Sequence, residues 1–512
     1  MPSIHWIPLT ADLDYNRGVA SLAPRFGVDT IHFSHDICHH ADDLMKDPER
    51  AADVRHLADL YRAAGMELWC WTHEVRHPPE ALLQDGKLLA DDAQLPRHLE
   101  AKYERFFTET LPGLEGLVLT FAETEFPVYQ NERILSGRDR MERTEQLIRC
   151  MRAVCHRHGK RLAIRDFVYR ADEVAAFREV IHRLPEDVIV MSKCVPHDWH
   201  PFYPHNPLIG DVGGREQWVE HDFGLEYEGQ HLYPFANLDT VFDRFRHGAQ
   251  QGADTLCLRL DRFAGDRGQS AIATPWGRSL LQAATDFAEN KCDSFEGFQQ
   301  RHPAEPWDLL ETATRSVCAF LFPLRFWLAN HSNLPSYEYA CDHLVGGNAD
   351  RLPQWTGAVE DHALEKRLLT PDPALVERLQ EEAEAAVALA RAAQKQADAL
   401  APAAESTAWQ AGTRQLVLWA ELFRDYRDVF FTLRLRESGA SSYESQPDPV
   451  DDERLSAKVT RLRRRCQEAH ALIADTRLEA VPPMVGRSEY HPTWDQLCDS
   501  FQMLAEESAK TE

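Results

Sequence analysis

Acidic side chains follow several short apolar segments of this sequence, at places where a strand would end. Glu123 and Glu125 come after the apolar run 116–122, while Asp198 and Glu226 follow later runs. Hydrolysis of a glycosidic bond needs one carboxylic acid to protonate the departing oxygen and one carboxylate to activate water or attack the sugar. Carboxyl groups at several segment ends, these four among them, are therefore candidates for such chemistry.

Cationic and aromatic side chains accompany the acids. Arg165, Lys193 and Arg259 could bind an anionic group of a substrate through charge-assisted hydrogen bonds. Rings and imidazoles at the same segment ends could form the walls of a sugar subsite, namely Trp71, His73, Trp199 and Tyr203. Structural roles stay open for the same residues: the acids and cations as ion pairs at the rim, the tryptophans as core.

Apolar strand patterns alternate with amphipathic helix patterns up to about residue 290, which indicates βα units and a parallel sheet. Strands are predicted at 5–9, 30–34, 67–72, 116–122, 161–169, 188–193, 217–223 and 255–260. Eight is the number that closes a barrel. A doubly wound open sheet is the alternative, but no Gly-rich phosphate-binding turn follows the first strand. We expect an α/β fold with a (β/α)8 TIM barrel over residues 1–292.

The strand pattern disappears after about residue 293. Helical periodicity takes over at 307–321, 373–400, 407–436 and 451–477. The sequence therefore predicts an all-α C-terminal domain at 293–512, packed on the barrel or on a second copy as a homodimer. Within the barrel, the connection 195–216 holds four prolines and three glycines, which predicts a long loop in place of a helix.

Charge and composition exclude several classes of function. The chain has 56 Lys and Arg against 82 Asp and Glu, a net charge of −26 that repels phosphate backbones. No apolar run reaches the ~20 residues that a membrane helix needs, and the first residues lack signal-peptide features. The 11 cysteines include no CxxC pair, which is typical of reduced thiols. We expect a cytoplasmic protein with neither nucleic acid nor membrane as a partner.

Four segments resemble the family 67 glycoside hydrolases, the α-glucuronidases. Residues 165–169 (Arg-Asp-Phe-Val-Tyr) match the family's Arg-x-Phe-Val-Tyr strand, and 193–198 (Lys-Cys-Val-Pro-His-Asp) match its Lys-x-x-Pro-x-Asp strand end. Residues 204–210 fall at a Pro-Leu-containing loop of the family, and 226–230 (Glu-Tyr-Glu-Gly-Gln) resemble its Glu-Tyr-x-Gly segment. The resemblance is best over 116–230. It extends more loosely over the barrel and the helical C-terminal domain.

The resemblance implies an inverting exo-α-glucuronidase that acts on an oligosaccharide carrying a uronic acid. Asp198 and Glu226 take the positions of the family's two candidate base carboxylates. Glu125 takes the position of the general acid, with Glu123 as a rival. Arg165 and Lys193 match positions that bind the carboxylate of the sugar. In a chain this acidic, cations placed among catalytic acids need a reason, and an anionic sugar supplies one.

The sequence departs from the family at two points. The first predicted strand starts at about residue 5, without the β-rich domain that precedes the barrel in the family, and Phe121 replaces a lysine that contacts the uronate. The resemblance therefore indicates the type of reaction more firmly than it indicates the substrate.

Other functions fit the same pattern. A metal-dependent barrel enzyme, such as a sugar isomerase or an amidohydrolase-like hydrolase, would use the histidines His35, His39, His40, His73 and His77. Their spacing follows no zinc pattern, so no metal and no cofactor are expected. A non-catalytic glycan-binding protein would keep the aromatic rings and cations without needing both an acid and a base. A lyase that acts on a uronide is an alternative closer to the α-glucuronidase, because it would act on the same class of substrate.

Overall fold

The computed structural model describes most of the chain. The described residues are 2–223, 233–261, 271–328, 334–345, 351–440, 449–475 and 493–510. None of the helices in these ranges combines the length and the apolar character that crossing a bilayer requires.

Eight parallel strands close into a barrel in which each strand pairs with its neighbours in the sequence. They are β1 (Ser3–Ile7), β2 (Thr30–Phe33), β3 (Glu67–His73), β4 (Gly116–Thr120), β5 (Arg161–Arg165), β6 (Ile189–Lys193), β7 (Gln217–His221) and β8 (Thr255–Arg259). Pairing of β1 with β8 closes the ring, with Ile7 opposite Arg259. The predicted eight-stranded barrel is confirmed.

Helices surround the strands, because their apolar faces cover the outside of the sheet. They are α1 (Leu13–Leu22), α2 (Ala41–Lys46), α3 (Pro48–Ala63), α4 (Gln94–Arg105), α5 (Arg140–Arg157), α6 (Ala171–Arg183), α7 (Leu238–Gln250) and α8 (Pro275–Ala288). The connection from β6 to β7 contains no helix, as its prolines and glycines predict. Polar caps fix several helix starts; at α5, Asp139 and Glu142 form a reciprocal capping box.

Aromatic side chains fill the amino-terminal half of the barrel interior. The rings of Trp69 and Trp218 meet edge to face with their centroids 4.7 Å apart. His5 and His32 complete this layer, with Nδ1 of His5 lying 3.1 Å from Nε2 of His32. All four residues are buried. We call this layer the barrel floor.

A small three-stranded sheet sits outside the barrel and was not predicted from the sequence. Its strands are Leu83–Gln84, Lys87–Leu89 and Ile134–Leu135. It joins the loop after β3 to the loop after β4. Strands of two or three residues carry too little periodicity to be read from a sequence.

The region after the barrel is helical, as predicted. It contains α9 (Phe295–Arg301), α10 (Trp307–Leu321), α11 (Tyr337–Val345), α12 (Leu352–Thr356), α13 (Val359–Leu369), α14 (Pro373–Asp398), α15 (Ala404–Ala440), α16 (Pro449–Asp475) and α17 (Trp494–Lys510). A stripe of buried alanines on α14, including Ala386, Ala390 and Ala393, allows close packing against its neighbours.

The helical region packs directly on the barrel. The ring of Trp409 on α15 lies 5.4 Å from the ring of Trp276 on α8. Oγ1 of Thr314 on α10 accepts a hydrogen bond from the backbone N–H of Ala236 at 3.1 Å. This contact joins α10 to the segment that precedes α7.

Candidate active site

Charged side chains converge inside the barrel mouth, at the carboxyl ends of the strands. Arg165, Lys193 and Arg259 are the last residues of β5, β6 and β8. Glu220 lies one residue before the end of β7. All four are almost completely buried. Barrel enzymes use this end of the strands for chemistry, so we take the cluster as the centre of the candidate site.

Glu220 joins two of the three cations. Its carboxylate accepts hydrogen bonds from Nε of Arg165 at 2.6 Å and from Nη2 at 2.9 Å. Nη1 of Arg259 donates to the same carboxylate at 3.3 Å. Burial acts to raise the pKa of Glu220, but the charges of Arg165, Lys193 and Arg259 outweigh it and hold the pKa below its usual range. Glu220 therefore stays ionised, and the sequence analysis had not selected it.

Lys193 binds the predicted base. Its Nζ lies 2.5 Å from Oδ1 of Asp198 and 3.9 Å from Oδ2 of Asp222. Burial acts to lower the pKa of Lys193, but the carboxylates of Asp198 and Glu220 hold it above the usual value. Desolvation in the mouth acts to raise the pKa of Asp198, and the lysine charge outweighs that effect, so the pKa lies well below its usual range. Asp198 is thus a carboxylate at neutral pH.

Aromatic rings support the two buried cations. The guanidinium carbon of Arg165 lies 4.9 Å from the ring centroid of Trp71 and 4.6 Å from that of Phe167. Nζ of Lys193 lies 5.3 Å from the centroid of Phe167. Trp71 is fully buried, and it contacts a guanidinium where the sequence suggested a sugar platform. The ring faces hold the cations in place through cation–π attraction.

Glu123 lies in the loop after β4, the strand that pairs with β5. Its Oε2 is 3.4 Å from Nε2 of His73, the last residue of β3. Desolvation acts to raise the pKa of Glu123, but the imidazole of His73 outweighs it and holds the pKa well below the usual range. Nδ1 of His73 lies 2.7 Å from the backbone oxygen of His39. Glu123 therefore sits in an environment that favours its ionised form.

Glu125 occupies a different environment two residues further along. Its Oε2 accepts a hydrogen bond from the backbone N–H of His77 at 3.1 Å, and its own backbone oxygen accepts one from Arg133 at 2.9 Å. Glu123 and Glu125 line the same cavity of about 460 Å³, together with Tyr169. The cavity opens at the barrel mouth, so both acids face space that a substrate could occupy.

Trp199 and Tyr203 belong to a buried aromatic cluster. The ring of Trp199 lies 5.9 Å from those of Phe322 and Trp327. Tyr203 stacks on His200 with their centroids 4.3 Å apart. Both residues are more than nine-tenths buried. They form part of the contact between the β6–β7 connection and the helical region.

The helical region also supplies a ring to the site, which the sequence analysis did not predict. The imidazole of His197 is stacked between Phe167, at 5.0 Å, and Trp355 of α12, at 5.1 Å. Nε2 of Gln354 donates to the backbone oxygen of Tyr169 at 3.1 Å. Because His197 precedes Asp198, α12 fixes the chain next to the predicted base. Glu226, the second predicted base, lies outside the described residues.

Two groups of side chains within the described ranges could hold a metal ion. One is His39, His40 and His73 at the mouth, and the other is His5, His32 and Cys257 at the barrel floor. In each group the potential ligand atoms lie within 4.8 Å of one another. The first group contains histidines that the metal-dependent alternative had named, brought together from two strand ends.

Comparisons with known proteins give a fold but no family. No protein-family model and no curated protein sequence matches the chain. The solved structure of a GH138 enzyme targeting pectin rhamnogalacturonan II matches with a TM-score of 0.57 and 10% sequence identity, over 100% of this chain and 83% of that one. The architecture of this chain is thus shared with that glycoside hydrolase.

Two further structures are more distant. A variant of the O-GlcNAc hydrolase of Thermobaculum terrenum has a TM-score of 0.44 and 9% identity, over 100% of this chain and 94% of that one. The protein CpGH84D has a TM-score of 0.38 and 10% identity, over 96% of this chain and 73% of that one. Neither likeness is strong enough to add to the argument.

Proposed function

We propose that this protein is a glycoside hydrolase that removes a terminal α-linked uronic acid from an oligosaccharide, with inversion at the anomeric carbon. The observation that carries the proposal is the ion pair of Lys193 and Asp198 in a mouth that also holds Glu125. The lysine keeps the Asp198 carboxyl group ionised, whereas the Glu125 carboxyl group is contacted by the backbone N–H and the partly exposed imidazole of His77. Two carboxyl groups in such unlike environments suit the division into base and acid.

In this mechanism, Glu125 donates a proton to the departing glycosidic oxygen. Asp198 removes a proton from a water molecule on the other face of the sugar ring, and that water attacks the anomeric carbon. Glu226 stays a second candidate for the base. Glu123 is held in its ionised form beside His73, which makes it the weaker candidate for a proton donor.

The buried cations are proposed to bind the carboxylate of the sugar. Two nitrogens of Arg165 are bonded to Glu220, while its Nη1 has no hydrogen-bond partner among the residues that the structure describes. Lys193 and Arg259 lie in the same cluster, and a uronate placed there would share them with Asp198, Asp222 and Glu220. Such charge-assisted bonds contribute about 1.5–3 kcal/mol each.

The shared architecture supports the reaction class more than the substrate. The GH138 enzyme with this fold targets a pectin, and the resemblance of segments 165–169 and 193–198 to α-glucuronidases points to a uronide. The two lines are independent, since one rests on the backbone and the other on short motifs. Neither the shared architecture nor the motif resemblance identifies the aglycone.

A substrate screen with product analysis tests the proposal. The protein is incubated with α-linked uronide oligosaccharides and with their neutral counterparts, and the anomer first released is identified by NMR. We expect a free uronic acid of inverted configuration from the uronides and at least about 100-fold slower release from the neutral sugars. Turnover that is equal on both sets, or a product with the unsaturated ring of a lyase, would contradict the proposal.

A further inference from the structure

Three imidazoles meet at the barrel mouth beside the cluster of cations. His39 and His40 lie in the loop after β2, and His73 ends β3. The rings of His39 and His73 are stacked with their centroids 4.0 Å apart, and His39 meets His40 edge to face at 4.3 Å. Their potential ligand atoms lie within 4.8 Å of one another. Around a tetrahedral ion with bonds of about 2.0–2.1 Å, ligand nitrogens lie about 3.3–3.4 Å apart, so these imidazoles would move closer by up to about 1.5 Å on binding an ion.

Backbone oxygens set the tautomers of two of these rings. Nδ1 of His73 lies 2.7 Å from the oxygen of His39, and Nδ1 of His40 lies 3.3 Å from the oxygen of His73. A carbonyl oxygen only accepts, so each Nδ1 carries a proton, and in the neutral form of each ring Nε2 keeps a lone pair. Histidines that bind metals almost always donate their second N–H to such an oxygen, which orients the ring.

The lone pair of His73 has no hydrogen-bond donor to satisfy it. Its Nε2 is buried and has no hydrogen-bond partner among the described residues, and Oε2 of Glu123 lies 3.4 Å from it. Lone pairs cannot bond to each other, so a carboxylate facing an imidazole lone pair lacks an attraction unless a proton or a cation lies between them. The side chain of Glu123 is 42% exposed and can rotate toward such a cation.

Open space adjoins the group. His40 and Glu123 line the cavity of about 460 Å³ that also reaches Glu125 and Tyr169. An ion held by the three imidazoles and Glu123 would thus lie next to space that solvent or a sugar can reach. Imidazole nitrogen with one carboxylate oxygen suits Zn²⁺, whereas Mg²⁺ and Ca²⁺ prefer oxygen ligands alone.

We propose that His39, His40 and His73, with Glu123 as an oxygen ligand, bind one Zn²⁺ at the barrel mouth. The ion takes the place between His73 and Glu123 and neutralises that carboxylate. Glu123 is then unable to act as a proton donor, and Glu125 is left as the acid. The zinc site does not depend on the proposed hydrolase activity, because the imidazoles and their carbonyl partners are fixed by the fold.

Titration of the full-length protein with Zn²⁺ alone tests the site. Protein freed of metal with a chelator is followed by isothermal titration calorimetry, and the metal retained after dialysis is measured by mass spectrometry. We expect one Zn²⁺ per chain. His39→Gln and His73→Gln should each weaken binding by more than about 100-fold, which exceeds the usual effect of an outer-shell change. Co²⁺ in place of zinc should give the visible absorption of a four-coordinate ion.

Three variants serve as controls. His77→Gln alters a histidine that faces Glu125, and His56→Gln alters an exposed histidine on α3; both should bind zinc as the unmodified protein does. His5→Gln tests the group at the barrel floor. His39 is only half-buried, so His39→Gln keeps the test valid if His73→Gln fails to fold.

Several outcomes would overturn the inference. They are the absence of stoichiometric zinc binding, equal binding by His39→Gln and the unmodified protein, and a loss of binding confined to His5→Gln. The titration uses no sugar, so a protein that binds zinc yet hydrolyses no uronide would disprove only the proposed function. A protein that hydrolyses uronides without binding zinc would disprove only the zinc site.

Discussion

Nζ of Lys193 lies 2.5 Å from Oδ1 of Asp198, so the last residue of β6 holds the carboxylate that we propose as the base. The pair has a measurable consequence. In Lys193→Met, the pKa of Asp198 should rise, because desolvation is then opposed by fewer charges. A base must be ionised, so the acid limb of the kcat/KM profile, which the low pKa of Asp198 keeps at low pH in the unmodified protein, should move to higher pH in the variant.

The measurement is the pH dependence of kcat/KM between pH 3 and 8 on the best uronide. Lys291→Met is the matched control, since Lys291 is partly exposed and pairs with Glu289 far from the mouth. An acid limb that stays in place in Lys193→Met, while the rate falls at all pH values, would argue that Asp198 is not the base.

Substitution of the two neighbouring acids separates their roles. Glu125→Gln should lower kcat about 10²–10⁴-fold on a sugar leaving group, because the proton donor is lost. On an aryl uronide whose leaving group is highly acidic, the same change should leave kcat nearly unchanged, because that leaving group needs no proton. Glu123→Gln should lack this dependence on the leaving group. If the two variants exchange these behaviours, Glu123 is the acid.

Glu220 should be a principal determinant of stability in the mouth. Glu220→Gln leaves Arg165 and Arg259 buried without their shared carboxylate, and loss of one partner of a buried ion pair costs about 3–5 kcal/mol. Urea unfolding at pH 7 measures this change. Glu216→Gln is the control, because Glu216 pairs with Arg161 near the surface and should contribute at most about 1 kcal/mol. Equal losses for both variants would contradict the prediction.

Buried histidines should make the fold sensitive to mild acid. Burial lowers the pKa of His5 to about 4 and that of His221 to about 3. The unfolded chain therefore binds more protons below pH 6.5, and the free energy of unfolding falls as the pH drops. Each histidine should remove about 2 kcal/mol between pH 7 and pH 5. Asp166, whose pKa burial raises to about 6, acts in the opposite direction and offsets part of the loss.

Urea unfolding at pH 7 and at pH 5 tests this sign. We expect a net decrease at pH 5 and a smaller decrease in His5→Gln, in which one of the neutral imidazoles is absent. The exposed His56→Gln should behave as the unmodified protein does. A higher free energy of unfolding at pH 5 than at pH 7 would show that the buried histidines do not determine the pH dependence of stability between these values.

The strands were predictable because each is a short apolar run bounded by turn residues. The largest error in a boundary concerns β5, which was extended to residue 169 and ends at Arg165. Phe167 is apolar because it lies under Arg165 and Lys193 in the mouth, and sequence periodicity does not distinguish that role from a strand position.

Glu220 could have been found from the sequence by the two-residue period of a barrel strand. Trp218 and Glu220 share one face of β7, and a strand whose tryptophan points inward must direct its glutamate inward as well. Other features depend on contacts between distant segments. Trp355 stacks on His197, and His39 stacks on His73. The members of each pair are far apart in the sequence, so a local pattern does not predict the contact.

The barrel floor limits the routes by which a substrate could enter and a product could leave. Trp69, Trp218 and the two histidines close the interior from below, so a glycan has no route through the cylinder. Under the proposed function, substrate and products would therefore both pass through the end of the barrel at which the strands have their carboxyl ends.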